Sequence, residues 1–174
     1  MWRPSPSGGG LRSIRDVDLR RIRVMNGKES VWDYPRPPAV ERSGRRIRVV
    51  HAGKTIAESD SSIRVLETSH PPTYYIPPTD IDLESLRFNP RFTLCEYKGA
   101  ARYYDVVVNA EVVEAGGWFY PRPARGYGMI AGHVAFYASR VDECWVDDEL
   151  VIPQPGDFYG GWITADIEGP FKGS

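Results

Sequence analysis

Four residues with chemically active side chains occur in two short stretches of this chain. Glu67 and His70 stand three positions apart, and so do Cys95 and Lys98. Together they offer a carboxylate, an imidazole, a thiol and an amine, which are groups that proteins use for proton transfer and nucleophilic attack. Their occurrence in two compact motifs predicts a polar pocket, although it does not specify a reaction.

The second stretch places Cys95 and Lys98 just before a turn at Gly99. Residues three apart on a strand point to opposite faces, but a turn that begins at Gly99 would let Lys98 bend back toward Cys95. A nearby ammonium favours the thiolate, which would make Cys95 a nucleophile or a redox thiol. The alternative is that Cys95 is a small buried hydrophobic residue, because cysteine is among the most buried residue types.

The histidines of interest lie in stiff or tightly turned segments. His70 precedes two prolines, and Glu67 at the end of a predicted strand would orient its imidazole or act as a base. The alternative for His70 is a turn histidine bonded to a backbone carbonyl. His133 follows Gly132 and begins an apolar strand, so it is either a ligand-binding residue or a structural histidine with satisfied hydrogen bonds.

Two pairs of adjacent tyrosines, 74–75 and 103–104, lie in predicted strands. Adjacent strand residues point to opposite faces, so one member of each pair should join the core. The other member would line a cleft and stack on a planar ligand. We assign Tyr75 and Tyr104, together with His133, to ligand binding; the alternative is that these aromatic residues fill the core.

The elements that must position these residues are short strands. Apolar segments with strand periodicity recur from residue 46 onward, and two Gly-containing turns predict hairpins over 47–59 and 93–108. A single short helical turn is predicted within 78–86, where Thr79 or Asp80 can cap it. Many short strands with almost no helix predict a mainly β fold, built as one small domain of two antiparallel sheets.

The ends of the chain differ from its middle. We expect residues 1–45 to form a basic, partly disordered arm, residues 46–152 to form the β domain, and residues 153–174 to form an irregular C-terminal strap. Residues 1–30 carry seven Lys and Arg against three Asp and Glu, whereas the whole chain has a net charge of −1. Such extended arms often pack on a neighbouring subunit, which predicts a homo-oligomer as one possible assembly.

The composition argues against several classes of protein. A net charge of −1 does not favour nucleic acid as the partner, and there is no apolar run long enough for a membrane-spanning helix. Two cysteines are too few for a disulfide framework, so we expect reduced thiols in a cytoplasmic protein. The phosphate-binding, dinucleotide-binding, serine hydrolase and zinc protease motifs do not occur, and no cofactor is expected.

Three segments, at 67–77, 95–99 and 130–137, resemble in order the motifs of the bacterial domain-of-unknown-function 427 family. The resemblance runs from about residue 46 to about residue 151. It implies a fold similar to the β-tent architecture, in which two antiparallel sheets meet along one edge. Relatives with that fold usually carry zinc on two Cys-x-x-Cys pairs; this sequence has no such pair, so no metal site is expected.

These observations predict an uncharacterised domain that binds a small polar or anionic molecule in a pocket between its sheets. Lys98 would hold an anionic or carbonyl group, His70 or Glu67 would move a proton, and Cys95 would be an optional nucleophile. Whether the domain is an enzyme stays open. The alternative is a non-enzymatic interaction or oligomerisation module that uses its arms.

Overall fold

The computed structural model describes residues 22, 24, 25 and 27–173. The regular structure of this part is almost entirely β, and its helical residues are confined to short 3-10 turns, which confirms the predicted mainly β fold. No helix in the described part is long and apolar enough to cross a membrane. The predicted disorder at the start of the N-terminal arm concerns residues outside the described ones.

The described residues form sixteen strands and four 3-10 turns. In chain order the strands are β1 (Val24–Met25), β2 (Lys28–Ser30), β3 (Ala39–Ser43), β4 (Ile47–His51), β5 (Lys54–Ser59), β6 (Ser62–Leu66), β7 (Thr73–Tyr75), β8 (Leu86–Cys95), β9 (Gly99–Val108), β10 (Glu111–Phe119), β11 (Val134–Phe136), β12 (Glu143–Val146), β13 (Glu149–Leu150), β14 (Ile152–Pro153), β15 (Trp162–Ile163) and β16 (Ile167–Glu168). The 3-10 turns are Val31–Asp33, Pro78–Asp80, Leu83–Ser85 and Gly128–Ile130.

The strands are distributed over several small sheets. The two largest are antiparallel and four-stranded, with the orders β11-β10-β9-β8 and β13-β12-β4-β5. A three-stranded antiparallel sheet has the order β3-β6-β7, and β14 pairs with β15. The last sheet joins the two ends of the described chain, because β16 adds to β2 in parallel beside the β1–β2 pair.

The predicted hairpins over 47–59 and 93–108 are both present as the pairs β4–β5 and β8–β9. Strand β8 begins at Leu86, earlier than its apolar pattern indicates, because a bulge between Asn89 and Phe92 interrupts the alternation. The helical turn predicted within 78–86 is present as two separate 3-10 turns, and Asp82 caps the second by accepting a hydrogen bond from the backbone N–H of Glu84.

Strand β7 separates the two larger of the three apolar clusters of the described residues. Tyr74 points into one cluster, where its ring lies 5.2 Å from that of Trp162, and Tyr75 points into the other. Both tyrosines are 1% exposed. The two tyrosines therefore lie on opposite faces of the strand, as the sequence predicts, but both are buried and each contributes one aromatic ring to a different cluster.

Two β-bulges in the β8–β11 sheet are joined by one carboxylate. Asp105 Oδ1 accepts hydrogen bonds from Asn89 Nδ2 at 2.8 Å and from the backbone N–H of Ala115 at 2.9 Å. Asn89 borders the bulge in β8, and Ala115, with a φ of +49°, lies inside the irregularity between Val113 and Gly117 in β10. Since bulges bend strands and increase their twist, Asp105 stabilises the curvature of this sheet.

The terminal segments pack on the rest of the chain. Residues 39–43, which the sequence assigns to the arm, form β3 and pair with β6 along its whole length. Arg64 of β6 is buried and binds the carboxylates of Glu29 and Glu41, which ties β2 and β3 to the same sheet. At the other end, the buried Trp162 is bonded through its backbone N–H to the carbonyl of Pro72 at 2.8 Å.

Candidate functional site

A cavity of about 420 Å³ lies between the β3-β6-β7 sheet and the β8–β11 sheet. Its volume falls within the roughly 300–1,000 Å³ that is usual for small-molecule sites. Residues 153–173, hereafter the strap, form a third wall. The strap residues that line the cavity are Gln154, Phe158, Tyr159, Gly160 and Lys172.

Five of the seven residues that the sequence nominates line this cavity, namely Glu67, His70, Tyr75, Cys95 and Lys98. Glu67 and His70 lie on either side of a turn between β6 and β7. Cys95 ends β8 and Lys98 immediately precedes β9. The packing of the two sheets therefore brings together two motifs that are well separated in the sequence.

The other two nominated residues lie elsewhere. Tyr104 points to the opposite face of the β8–β11 sheet, where its ring stacks on Phe119 at 4.5 Å, and Tyr103 lines the cavity in its place. The pairing of Tyr103 with Trp118 across β9 and β10 decides which tyrosine faces the cavity. His133 precedes β11 outside the cavity, and its Nδ1 lies 3.1 Å from the carbonyl oxygen of Ala131.

The turn between β8 and β9 places Lys98 at the cavity wall. Gly99 has a φ of +103°, and the carbonyl of Lys98 accepts a hydrogen bond from Ala124 N at 2.8 Å. Lys98 is only 8% exposed, and its Nζ lies 5.8 Å from the ring centroid of Tyr120. Among the described residues, no carboxylate forms a salt bridge with this ammonium. The Lys98 side chain is therefore largely buried, and its ammonium is available to a ligand in the cavity.

The turn at 67–70 and the strap together orient His70. The backbone N–H of His70 bonds to the Glu67 carbonyl at 3.0 Å. Gln154 Oε1 accepts from Gly161 N, so Gln154 Nε2 must be the atom that donates to the Lys172 carbonyl and approaches His70 Nδ1 at 3.0 Å. An amide nitrogen cannot accept a hydrogen bond, so Nδ1 is the acceptor and the neutral ring carries its proton on Nε2.

Burial lowers the pKa of His70, and the positive charges of Lys172 and Lys98 lower it further against the opposing effect of Glu67. We expect the His70 imidazole to titrate below about 6.5, its usual value, and to show the Nε2–H tautomer. Because the folded-state pKa is depressed, the neutral ring stabilises the fold above the unfolded value, and this stabilisation is lost as the pH falls through the folded-state pKa.

A pH titration of the imidazole ¹⁵N and ¹H resonances measures both quantities. In the variant Gln154→Leu we expect the preference for the Nε2–H tautomer to be lost, because the donor to Nδ1 is absent. A His70 pKa at or above the usual value, or an Nδ1–H tautomer in the unsubstituted protein, would contradict this description of the site.

Aromatic residues form most of the remaining cavity wall. Tyr75 OH accepts a hydrogen bond from Trp118 Nε1 at 3.2 Å, and Tyr137 OH donates to the carbonyl of Phe158 in the strap at 3.1 Å. Burial raises the pKa of Tyr75, Tyr120 and Tyr137. These side chains therefore remain neutral hydroxyls, and the wall combines ring surfaces with hydroxyl groups that can bond to a ligand.

The two cysteines have different surroundings. Cys95 is half-buried, lines the cavity and packs against the apolar cluster that contains Tyr120. The hydrogen bonds of the described residues do not include one between Cys95 Sγ and Lys98 Nζ. Cys144 is 1% exposed, and burial raises the pKa of its thiol, so it is a core residue. Cys95 is thus the thiol that a small molecule in the cavity would meet.

The strap contributes cavity residues that the sequence reasoning did not nominate, above all Gln154, Tyr159 and Lys172. The strap lies so close to the sheet that a Cβ at Gly160 would meet Trp118 Cη2 at 2.2 Å. Arg140 links the sheet to the strap, donating to the carbonyls of Ala115 at 2.7 Å and Asp157 at 2.8 Å. The adjacent glycines at 160 and 161 could have indicated this contact in the sequence, because glycine is favoured where the backbone packs closely against another part of the protein.

Within residues 22, 24, 25 and 27–173, no group of three or more His, Cys, Asp or Glu side chains is placed to hold a metal ion. A comparison with curated proteins found no match.

The family model described as "Domain of unknown function (DUF427)" matches residues 39–147. The match covers more than half of the chain and includes β3 to β12, with the Glu67, His70, Cys95 and Lys98 positions inside it. The chain belongs to the DUF427 family.

Proposed function

We propose that this domain binds a small polar molecule with an anionic group in the cavity between its sheets, and that Lys98 holds the anion. The observation that carries the proposal is that the Lys98 side chain is largely buried at the cavity wall and that its ammonium has no carboxylate partner among the described residues. Removing a charge from water is costly unless it is paired, so an anion that enters the cavity gains a partner already in place.

The other cavity groups fit the same kind of ligand. His70 offers an Nε2–H donor, and the tyrosine hydroxyls offer further hydrogen bonds near Lys98. Trp118 and Tyr75 meet edge to face with ring centroids 6.2 Å apart, so they supply apolar surface for the uncharged part of a ligand. Binding sites for small molecules typically combine such apolar walls with a few convergent polar groups.

Catalysis would use the same residues. The Cys95 thiol would add to the carbonyl carbon of a ligand held by Lys98, forming a C–S bond as the C=O π bond opens, and Glu67 or His70 would carry the thiol proton to the carbonyl oxygen. The proposal for binding does not depend on this step.

The alternative, an interaction module built from the terminal segments, has less support. The described parts of these segments pack on the chain's own core through the Arg64 ion pairs and through Trp162. A homo-oligomer formed through the arms stays a proposal that sedimentation of the full chain would test. The cavity has more support, because Lys98 lines it without a carboxylate partner among the described residues.

A titration with 3-phenylpropionate, which joins a carboxylate to an apolar ring, tests the proposed function. The readout is the indole N–H resonance of Trp118, assigned with the variant Trp118→Phe. We expect this resonance to shift on binding, and we expect Lys98→Met to weaken binding at least about tenfold, which corresponds to about 1.4 kcal/mol. The matched control is Lys28→Met, because Lys28 is exposed and lies outside the cavity.

Equal affinity in Lys98→Met and the unsubstituted protein would refute the role of Lys98. A complete lack of shifts at ligand concentrations up to about 10 mM, where a Kd of about 1 mM would be evident, would refute the cavity as an anion site. Thermal melting of each variant shows whether the fold is retained.

A further inference from the structure

The charged residues of the cavity wall are balanced in sign. Lys98 and Lys172 face Glu67 and Glu96, and the depressed pKa of His70 keeps its imidazole uncharged near neutral pH. Lys172 and Glu96 are exposed, whereas Lys98 is buried and Glu67 is half-buried. Lys98 and Glu67 are therefore the two charged wall residues that are not exposed.

These two inner groups are not paired with each other. Among the described residues, the Glu67 carboxylate has no salt bridge or hydrogen bond, and neither does the Lys98 ammonium. The backbone keeps them on separate elements, because Glu67 follows β6 while Lys98 lies in the turn between β8 and β9. The Lys98 ammonium and the Glu67 carboxylate can therefore each bind an oppositely charged group of a ligand in the cavity.

A ligand that carries only an anion would satisfy Lys98 and leave the other charge without a partner. As the ligand displaces water, the Glu67 carboxylate would lose hydration without gaining a partner, which opposes binding. A ligand that carries a cation as well as an anion would compensate both groups. The neutral His70 imidazole would not repel such a cation, and its Nε2–H would still serve the anion.

We propose that the cavity takes a zwitterion of the α-amino acid class with an aromatic or apolar side chain. The α-carboxylate binds Lys98, the α-ammonium binds Glu67, and the side chain packs on the aromatic wall at Trp118. This proposal rests on the proposed function, since it uses the same cavity and the same anion site. Beyond the anion site, the zwitterion proposal adds an ammonium group on the ligand and assigns its binding to Glu67.

Three ligands that share a phenylethyl unit test the two charges separately. L-phenylalanine carries both groups, 3-phenylpropionate lacks the ammonium, and 2-phenylethylamine lacks the carboxylate. With the Trp118 indole resonance as readout, we expect L-phenylalanine to bind at least about tenfold more tightly than either analogue, which is the usual magnitude for one charge-assisted contact.

The variant Glu67→Gln should bind L-phenylalanine and 3-phenylpropionate with similar affinity, because it loses only the partner of the ammonium. The matched control is Glu114→Gln, since Glu114 is exposed on β10 and lies outside the cavity. Lys98→Met should remove the advantage of L-phenylalanine over 2-phenylethylamine. Thermal melting confirms that each variant is folded.

The outcomes distinguish this proposal from the one it rests on. If 3-phenylpropionate binds as tightly as L-phenylalanine and Lys98→Met weakens both, the zwitterion is refuted and the anion site stands. If Glu67→Gln weakens all three ligands equally, the assignment of Glu67 to the ammonium is refuted. If none of the ligands shifts the Trp118 resonance, both proposals are refuted.

Discussion

Replacing Trp162 with alanine is expected to lower the free energy of unfolding by about 3–5 kcal/mol, the usual range for a large aromatic residue removed from a core. Trp162 is 1% exposed and packs against Tyr74, and its Nε1 donates to the carbonyl of Phe136 at 3.0 Å. The substitution would leave a cavity and an unsatisfied buried carbonyl, both of which are costly.

Chemical denaturation followed by circular dichroism measures the loss. Phe158→Ala is the matched control, because Phe158 belongs to the same strap but is 55% exposed. We expect that control to change stability by no more than about 1 kcal/mol. A similar loss in the two variants would show that Trp162 does not anchor the strap. Since the strap forms one wall of the cavity, its anchorage also determines whether the site exists.

Replacing Asp105 with alanine is expected to destabilise the fold by about 2–4 kcal/mol, since hydrogen bonds to a charged group are strong and their loss leaves buried donors unsatisfied. Asp105 is 8% exposed and holds both bulges of the β8–β11 sheet through Asn89 and Ala115. The control Asp148→Ala concerns an exposed carboxylate and should change stability by no more than about 0.5 kcal/mol.

Part of the contribution of Asp105 to the free energy of unfolding depends on pH. Burial alone would raise the pKa of Asp105, but the hydrogen bonds from Asn89, from the backbone of Ala115 and from Arg87 outweigh it, and the pKa is lowered. A carboxylate with a depressed folded-state pKa stabilises the fold above its unfolded value of about 3.9. This contribution is lost as the pH falls through the folded-state pKa.

Denaturation of Asp105→Asn at a series of pH values tests whether the stabilisation by Asp105 is lost as the pH falls. The variant should be less stable than the unsubstituted protein at pH 7, and the difference should shrink as the pH falls below about 4. A difference that is constant over that range would mean that the Asp105 carboxylate is not selectively stabilised in the folded state.

The cavity could be predicted in part because its reactive residues occur in two motifs next to Pro or Gly. Pro71 and Pro72 restrict the loop that carries His70, and Gly99 permits the turn that carries Lys98. The residue types and these local constraints are visible in the sequence. The orientation of His70 is not, because it depends on Gln154, which is 84 positions away along the chain.

The sequence pattern could not show whether Tyr103 or Tyr104 lines the cavity, because this also depends on contacts between distant residues. Alternation along a strand requires that the two tyrosines face opposite sides, but both sides of the β8–β11 sheet are partly apolar. Only the register of β9 against β10, which pairs Tyr103 with Trp118, decides the matter. The bulge at Ala115 shifts that register, and Asp105 stabilises the bulge.

The sequence by itself determined the mainly β character and the main hairpins, because these follow from local periodicity and turn residues. It also shows directly that four chemically active residues occur in two motifs. The tertiary structure decided that the strap forms a wall of the cavity, that Tyr103 lines it instead of Tyr104, and that Lys98 and Glu67 line it without a salt-bridge partner among the described residues. These features depend on contacts between residues far apart in the chain, and such contacts are set by packing and strand register, which local sequence patterns do not contain.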